Sequence, residues 1–216
     1  MKREYTGQKI TIAYDAQRCI HAERCVHGIA SVFEKGGKPW VHPDGADPAR
    51  IAVVIQRCPT GALQYSATDQ IEGEQPDSAN VIVTAPHGPL FLRGNLEIQP
   101  AQATAPEADT RAALCRCGAS GNKPFCDGSH HRIGFSDEGL AAAPQNQDVE
   151  IPERGPALQA TATPDGPLHV KGPFLIRNAA GDHILAGMDA WLCRCGGSNH
   201  KPFCDGSHAR IGFQDS

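Results

Sequence analysis

A short stretch rich in cysteine and glycine occurs twice, and it constrains the fold more than any other feature. The first copy spans residues 115–130 and reads CRCGASGNKPFCDGSH, and the second spans residues 193–208 and reads CRCGGSNHKPFCDGSH. Cys193 stands 78 positions after Cys115, and His208 stands 78 positions after His130. The constant offset indicates an internal duplication, so the chain is expected to contain one structural unit twice.

Each copy carries a complete set of four metal ligands, three thiols and one imidazole. Thiolates suit iron–sulfur clusters, and imidazole can replace thiolate on one iron. Three cysteines and one histidine also suit a tetrahedral zinc ion, and spacing alone leaves both metals open. The candidate ligands are Cys115, Cys117, Cys126 and His130 in the first copy, and Cys193, Cys195, Cys204 and His208 in the second.

The duplicated stretch resembles the CDGSH iron–sulfur family, the mitoNEET-type proteins. The family pattern C-x-C, two residues, Ser/Thr, three residues, P-x-C-D-G-S-H matches both copies at every fixed position. The resemblance covers roughly residues 80–136 and 158–213 and implies a [2Fe–2S] cluster on each set of ligands. Because family members with one copy resemble homodimers, it also implies an intrachain pseudo-twofold dimer of two β-rich repeats with a shared β cap.

The other three cysteines lie near the start of the chain. Cys19 and Cys25 are followed at a distance by Cys58, which precedes a proline. This arrangement resembles a single-cluster bacterial ferredoxin, whose run is C-x2-C-x2-C with a distant C-P. Ala22 occupies the place of the middle cysteine. The resemblance is to the divergent one-cluster ferredoxin-like domain found beside CDGSH modules.

Three thiolates at this site predict a [3Fe–4S] cluster. The alternative is a [4Fe–4S] cluster whose fourth ligand is not a cysteine, and His21 and His27 are the candidates. Buried free cysteines without a metal are a further interpretation.

Local patterns predict an α+β chain, and the two resemblances divide it into four parts: a small ferredoxin-like α+β domain at 1–72, a first repeat at 78–136, a linker at 137–157 and a second repeat at 158–216. Alternation and turn residues indicate strands. Asp47 before Pro48 predicts a helix running to about Arg57. The expected strands are Lys9–Asp15, Pro39–His42, Leu63–Tyr65, Asn80–Thr84, and Leu90–Arg93 paired in a hairpin with Leu96–Ile98, followed by a loop at Pro100–Thr110.

Composition narrows the class of function. The formal net charge of −4 comes without a basic stripe, so no nucleic-acid partner is expected. No apolar run approaches the ~18 residues of a membrane span, and residues 1–15 lack the apolar centre of a signal peptide. The nine cysteines fall into three groups of three, which suits reduced thiols in a cytoplasmic protein better than disulfides.

No phosphate- or dinucleotide-binding loop is present, and no catalytic triad or carboxylate pair stands out, so no organic-substrate site is expected. The sequence therefore predicts a monomeric electron carrier that exchanges electrons with redox partner proteins. The alternative is storage or delivery of clusters to apo iron–sulfur acceptors through acid-labile histidine ligands. A zinc-binding interaction module is a third hypothesis.

Overall fold

The computed structural model describes residues 2–66, 68–69, 71–140 and 155–215. The chain forms two compact units, Met1–Gln75 and Pro76–Ser216. Both units combine a β-sheet with short helices. Strands make up most of the regular structure, which confirms the α+β class. Most of the predicted linker, residues 141–154, lies outside the described residues. None of the helices in the described ranges is long and apolar enough to cross a membrane.

The first unit is a three-stranded antiparallel sheet in the order β1-β2-β3, with two short α-helices. Buried aliphatic and aromatic side chains between the sheet and the helices form its core, including Ile12, Phe33, Ile51 and Leu63. The elements are β1 Lys2–Thr6, β2 Thr11–Asp15, α1 Arg24–Gly28, α2 Pro48–Ile55 and β3 Leu63–Tyr65, with 3₁₀ turns at Ala16–Arg18 and Pro43–Gly45.

Helix α2 begins where the sequence predicts. The side chain of Asp47 accepts hydrogen bonds from the backbone N–H groups of Ala49 and Arg50, and Pro48 takes the first helical position. The predicted strand Pro39–His42 is wrong, because only an isolated bridge between Phe33 and Val41 forms there. Proline cannot donate to a β ladder, so Pro39 shortens this pairing.

The second unit is a six-stranded sheet built from both repeats. Two very short helices follow the ligand loops. The elements are β4 Val81–Thr84, β5 Leu90–Gln99, β6 Glu107–Leu114, α3 Ser129–Arg132, β7 Leu158–Ala162, β8 Leu168–Arg177, β9 His183–Leu192 and α4 Ser207–Arg210.

The first strand of each repeat pairs with the second strand of both repeats. Strand β4 pairs antiparallel with β5 of its own repeat and parallel with β8 of the other. Strand β7 pairs in the same way, antiparallel with β8 of its own repeat and parallel with β5 of the other. The registers correspond, since Val81 faces Leu175 and the equivalent residues Gln159 and Glu97 face each other. One continuous sheet therefore holds the two repeats together.

The predicted hairpin at Gly94-Asn95 is wrong. Strand β5 continues through it with a register shift between Arg93 and Leu96, and β8 has the matching shift between Lys171 and Phe174. Gly94 has φ +134°, and a Cβ there would lie 2.8 Å from the Cα of Asn80. Glycine is needed because another segment passes against the strand, so the signal marks a β-bulge and not a turn.

The predicted loop Pro100–Thr110 is shorter than expected, because β6 begins at Glu107. A single apolar core lies under the sheet and draws on both repeats. Its fully buried members include Ile82, Leu92, Ile98 and Leu114 from the first repeat, and Leu158, Val170, Phe174, Ile176 and Leu192 from the second. Neither repeat could bury its apolar face without the other.

Candidate metal centres

Each ligand loop leaves the end of the last strand of its repeat and folds back on it. Strand β6 ends at Leu114, immediately before Cys115. The N–H of Cys115 donates to the carbonyl of Pro124 at 2.7 Å, and the N–H of Cys126 donates to the carbonyl of Ala113 at 2.8 Å. The loop after β9 repeats these bonds, from Cys193 to Pro202 and from Cys204 to Trp191. Backbone pairing thus returns the third cysteine to the side of the first.

The four donors of each site lie in two pairs. In the first repeat the Sγ atoms of Cys115 and Cys117 are 3.8 Å apart, and Cys126 Sγ lies 3.4 Å from His130 Nδ1. In the second repeat the corresponding distances are 3.7 Å and 3.4 Å. Among the described residues, no three His, Cys, Asp or Glu side chains converge where one metal ion could bind.

This pairing distinguishes between the two metals that the spacing leaves open. A structural zinc ion needs four donors around one point. A cluster with two irons takes two protein donors on each iron, and one pair can include imidazole. The donor sets of both repeats therefore fit a two-iron cluster and fit a single zinc ion poorly.

The protonation of the thiols depends on burial and on their pairing. A hydrogen bond from the Cys117 thiol lowers the pKa of Cys115 to about 6, and the same bond raises the pKa of Cys117. Burial raises the pKa of Cys126 to about 12 and that of Cys195 to about 11. Burial lowers the pKa of His130, which favours the neutral ring. Because ligands bind metal deprotonated, a bound metal would replace these protons.

In the first unit the structure brings the three remaining cysteines to one cavity. Cys19, Cys25 and Cys58 all line a cavity of about 340 Å³, together with His21 and Ala22. This is roughly ten times the ~30 Å³ that a water molecule takes in the liquid. Burial raises the pKa of Cys25, and the negative charges of Cys58 and Cys19 also raise it. The cavity has the thiols and the room for a cluster of several irons.

Family models match the chain at both kinds of candidate site. A family model described as "Iron-binding zinc finger CDGSH type" matches residues 87–131 and again residues 165–209. The chain belongs to the CDGSH iron–sulfur family. Ahead of the CDGSH repeats, a model described as "Divergent 4Fe-4S mono-cluster" matches residues 5–68. The chain is therefore an iron–sulfur protein with a tandem pair of CDGSH repeats behind a mono-cluster domain.

Two curated relatives match 63 residues of the chain. Both are called "Uncharacterized protein YjdI", one from Escherichia coli strain K12 and one from Escherichia coli O157:H7. Each is 43% identical over 63 residues, which is 29% of this chain and 83% of the relative. No solved structure matches the chain.

The two CDGSH loops touch each other through their backbones. A Cβ at Gly118 would lie 2.7 Å from the carbonyl oxygen of Cys195, and a Cβ at Gly196 would lie 2.9 Å from that of Cys117. Both glycines have positive φ, +82° and +78°. Each contact joins the residue after a ligand in one repeat to a ligand of the other. The two candidate metal sites are therefore neighbours.

Sequence reasoning missed the role of two buried arginines that lie between paired ligands. The guanidinium of Arg194 donates to the carbonyls of Gly166 and Thr163 and to both carboxylate oxygens of Asp215, at 2.6–2.9 Å. Arg116 makes the equivalent bonds, with Asp137 as its carboxylate partner. These groups anchor the ligand loop to two other segments of its repeat. The signal was present, since the arginine and the aspartate both recur at the 78-residue offset.

The aspartate of each CDGSH motif stabilises the loop. Asp127 accepts a hydrogen bond from the N–H of Ser129 at 2.9 Å and another from the N–H of Gly121 at 2.8 Å. Asp205 accepts equivalent bonds from Ser207 and Asn199, both at 3.0 Å. Each carboxylate thereby links the two halves of its ligand loop.

The two CDGSH sites differ in exposure. All four candidate ligands of the first repeat are buried, and His130 is 5% exposed. In the second repeat only Cys193 is buried, and Cys195, Cys204 and His208 are partly exposed. The second site is the more accessible of the two.

Proposed function

We propose that this protein carries single electrons between partner proteins. In this proposal each CDGSH repeat binds a [2Fe–2S] cluster through its three cysteines and one histidine, and Cys19, Cys25 and Cys58 bind a third cluster of three or four irons. One-electron transfer is the chemistry that such clusters supply when bound.

One observation carries the proposal: the reciprocal backbone contact of Gly118 with Cys195 and of Gly196 with Cys117. It brings two ligand loops together within one sheet, so an electron that enters at one site has a second site beside it. A protein that only stored metal would gain nothing from this adjacency. The exposure of the two described sites also suits an electron carrier, since the ligands of the first site are buried and three of the four in the second are partly exposed.

We further propose that the two repeats act as an internal pseudo-twofold pair, so that one chain supplies what a homodimer would supply from two. The reciprocal parallel pairing of β4 with β8 and of β7 with β5 supports this reading. So does the shared apolar core. The expected state in solution is a monomer, and its partners are redox proteins.

The residues around each site serve to hold it rigid. Arg116 and Arg194 anchor the ligand loops, and Asp127 and Asp205 link the two halves of each loop. A rigid site changes little in structure between oxidation states, which favours fast electron exchange.

The test combines redox titration with EPR of the full chain. When both [2Fe–2S] clusters are reduced, their unpaired spins should interact, and the interaction should broaden the spectrum. The variant Cys204→Ala, which lacks one ligand of the second site, should lose that broadening and keep the signal of the first cluster. Stopped-flow mixing of the reduced protein with cytochrome c should show electron transfer in the parent. Two non-interacting spectra, or reoxidation no faster than by buffer alone, would refute the proposal.

A second candidate function is delivery of clusters, and the exposure of the second site favours it. Cys195, Cys204 and His208 are partly exposed, whereas the ligands of the first site are buried. An acceptor thiol could therefore reach the second site first. Incubation with apo-ferredoxin should then transfer iron from the second site before the first, and Cys204→Ala should abolish the faster phase. Equal transfer from both sites, or none, would exclude delivery by this route.

A further inference from the structure

We infer that His21 is the fourth protein ligand of the cluster in the first unit, so that this cluster is [4Fe–4S] with three thiolates and one imidazole. The inference rests on the proposed third cluster at Cys19, Cys25 and Cys58. Nothing in the sequence distinguishes His21 from His27, because both lie within a few residues of the cysteines. The structure separates them.

His21 lines the cavity that the three cysteines share, and His27 does not. His27 lies on helix α1 with its side chain 76% exposed, and its Nε2 is 3.3 Å from a carboxylate oxygen of Glu23. His21 is also exposed, but in the described part of the chain its imidazole forms no hydrogen bond or ion pair. The ring is therefore available to a metal.

The two carboxylates that line the cavity are already engaged. Glu23 forms a 2.5 Å contact with Lys35, and Glu34 lies 3.3 Å from His42. The Tyr14 hydroxyl forms a hydrogen bond with Cys19. Ala22, at the place of the middle cysteine of a bacterial ferredoxin, has no donor atom in its side chain.

The backbone between Cys19 and Cys25 supports the same assignment. His21 and Glu23 both have φ of 55°, although neither is glycine. Residues that are not glycine rarely adopt this conformation, and they cluster at ligand-binding sites where the surroundings impose it. Two such residues on either side of Ala22 bend the loop around the cavity. His21 lies directly before Ala22, which takes the place of the middle cysteine of a C-x2-C-x2-C loop.

Soft thiolate and imidazole donors are compatible on one cluster, and histidine is an accepted substitute for cysteine on iron. Without a fourth ligand, three thiolates hold a [3Fe–4S] cluster or leave one iron open to solvent. A [3Fe–4S] cluster and a [4Fe–4S] cluster differ by one iron and in their magnetic properties. An oxidised [3Fe–4S] cluster is paramagnetic, whereas oxidised [4Fe–4S] and [2Fe–2S] clusters are silent in EPR. The oxidised full chain therefore reports on this site without interference from the CDGSH repeats.

The experiment compares the full-length parent with three variants after anaerobic reconstitution, by iron and sulfide analysis and by EPR of the oxidised protein. The parent should contain about eight irons and be silent, by the cluster sets above. His21→Ala should lose about one iron and gain a [3Fe–4S] signal. His27→Ala is the matched control and should behave as the parent. His21→Cys should be silent again with about eight irons, because a thiolate replaces the imidazole.

Loss of the whole cluster in His21→Ala with retention in His21→Cys would also support the inference. It is overturned if the parent already shows a full [3Fe–4S] signal, if His21→Ala keeps four irons at this site, or if both His21 variants lose the cluster. A parent with only about four irons, all in the CDGSH repeats, would instead refute the third cluster of the proposed function.

Discussion

Replacing Gly118 by alanine should destabilise the junction between the two ligand loops. Gly118 has φ +82°, and an added Cβ would lie 2.7 Å from the carbonyl oxygen and 3.0 Å from the carbonyl carbon of Cys195. The atoms in the way are backbone atoms, so no side chain can rotate aside. A left-handed conformation costs an L-residue ~1–2 kcal/mol, and overpacking of this kind adds ~1–3 kcal/mol.

Gly128→Ala is the matched control. Gly128 lies in the same ligand loop at φ +86°, and nothing stands within 4 Å of the Cβ it would gain. Gly128→Ala therefore introduces the backbone strain of a left-handed residue but no close contact. The difference between Gly118→Ala and Gly128→Ala should therefore be ~1–3 kcal/mol, the overpacking part alone. For a unit of this size each kcal/mol shifts the unfolding midpoint by about 4 °C.

The assay is thermal unfolding of the cluster-loaded protein, followed by circular dichroism and by the visible absorbance of the clusters. Gly118→Ala should melt about 4–12 °C below Gly128→Ala. Because the contact is reciprocal, either substitution alone already opens the junction. The double variant Gly118→Ala with Gly196→Ala should therefore lose less stability than the sum of the losses in the two single variants. Equal midpoints for Gly118→Ala and Gly128→Ala would show that the loops do not touch, and the argument for adjacent sites would fail.

Three further outcomes are expected. Asp215→Ala should cost ~3–5 kcal/mol in urea unfolding, because the buried guanidinium of Arg194 keeps its bonds to two carbonyls but loses its carboxylate partner, whereas Asp77→Ala, at the exposed ion pair with Arg93, should cost under ~1 kcal/mol; similar costs would contradict the anchoring role. Asn80→Ala should cost about 2–4 kcal/mol, because its side-chain amide donates to the carbonyls of Pro156 and Pro173 and accepts from the N–H of Asn95; a change under ~0.5 kcal/mol would contradict this. His130→Cys with His208→Cys should lower both CDGSH potentials in a redox titration, because thiolate adds negative charge; unchanged potentials would argue against histidine ligation.

Local signals in the sequence were sufficient for several elements. Helix α2 begins where Asp47 and Pro48 predict it, because a side-chain cap and a fixed φ act within one turn. The candidate ligand sets of the CDGSH repeats can also be named from the sequence, because their four donors lie within sixteen residues and the motif occurs twice. Such features depend on neighbours along the chain and not on distant contacts.

The errors share one physical cause. The Gly94-Asn95 pair predicts a hairpin by itself, because a turn and a bulge can both use glycine at positive φ. What decides between them is the segment at Asn80 that passes against Gly94, and its position depends on the other repeat. The strand predicted at Pro39–His42 is reduced to a single bridge for a similar reason, since its pairing partner at Phe33 is set by tertiary contacts.

The sequence by itself determined the duplication, the candidate thiol and imidazole donors and the α+β class, because each is carried by residues close together in the chain. Only the tertiary structure decided how these parts meet. It pairs β4 with β8 and β7 with β5 across the repeats, brings Gly118 against Cys195, and places His21 but not His27 at the cavity of Cys19, Cys25 and Cys58. These relations join residues far apart in sequence through backbone pairing and packing, and no local pattern encodes which of several compatible partners a segment will find.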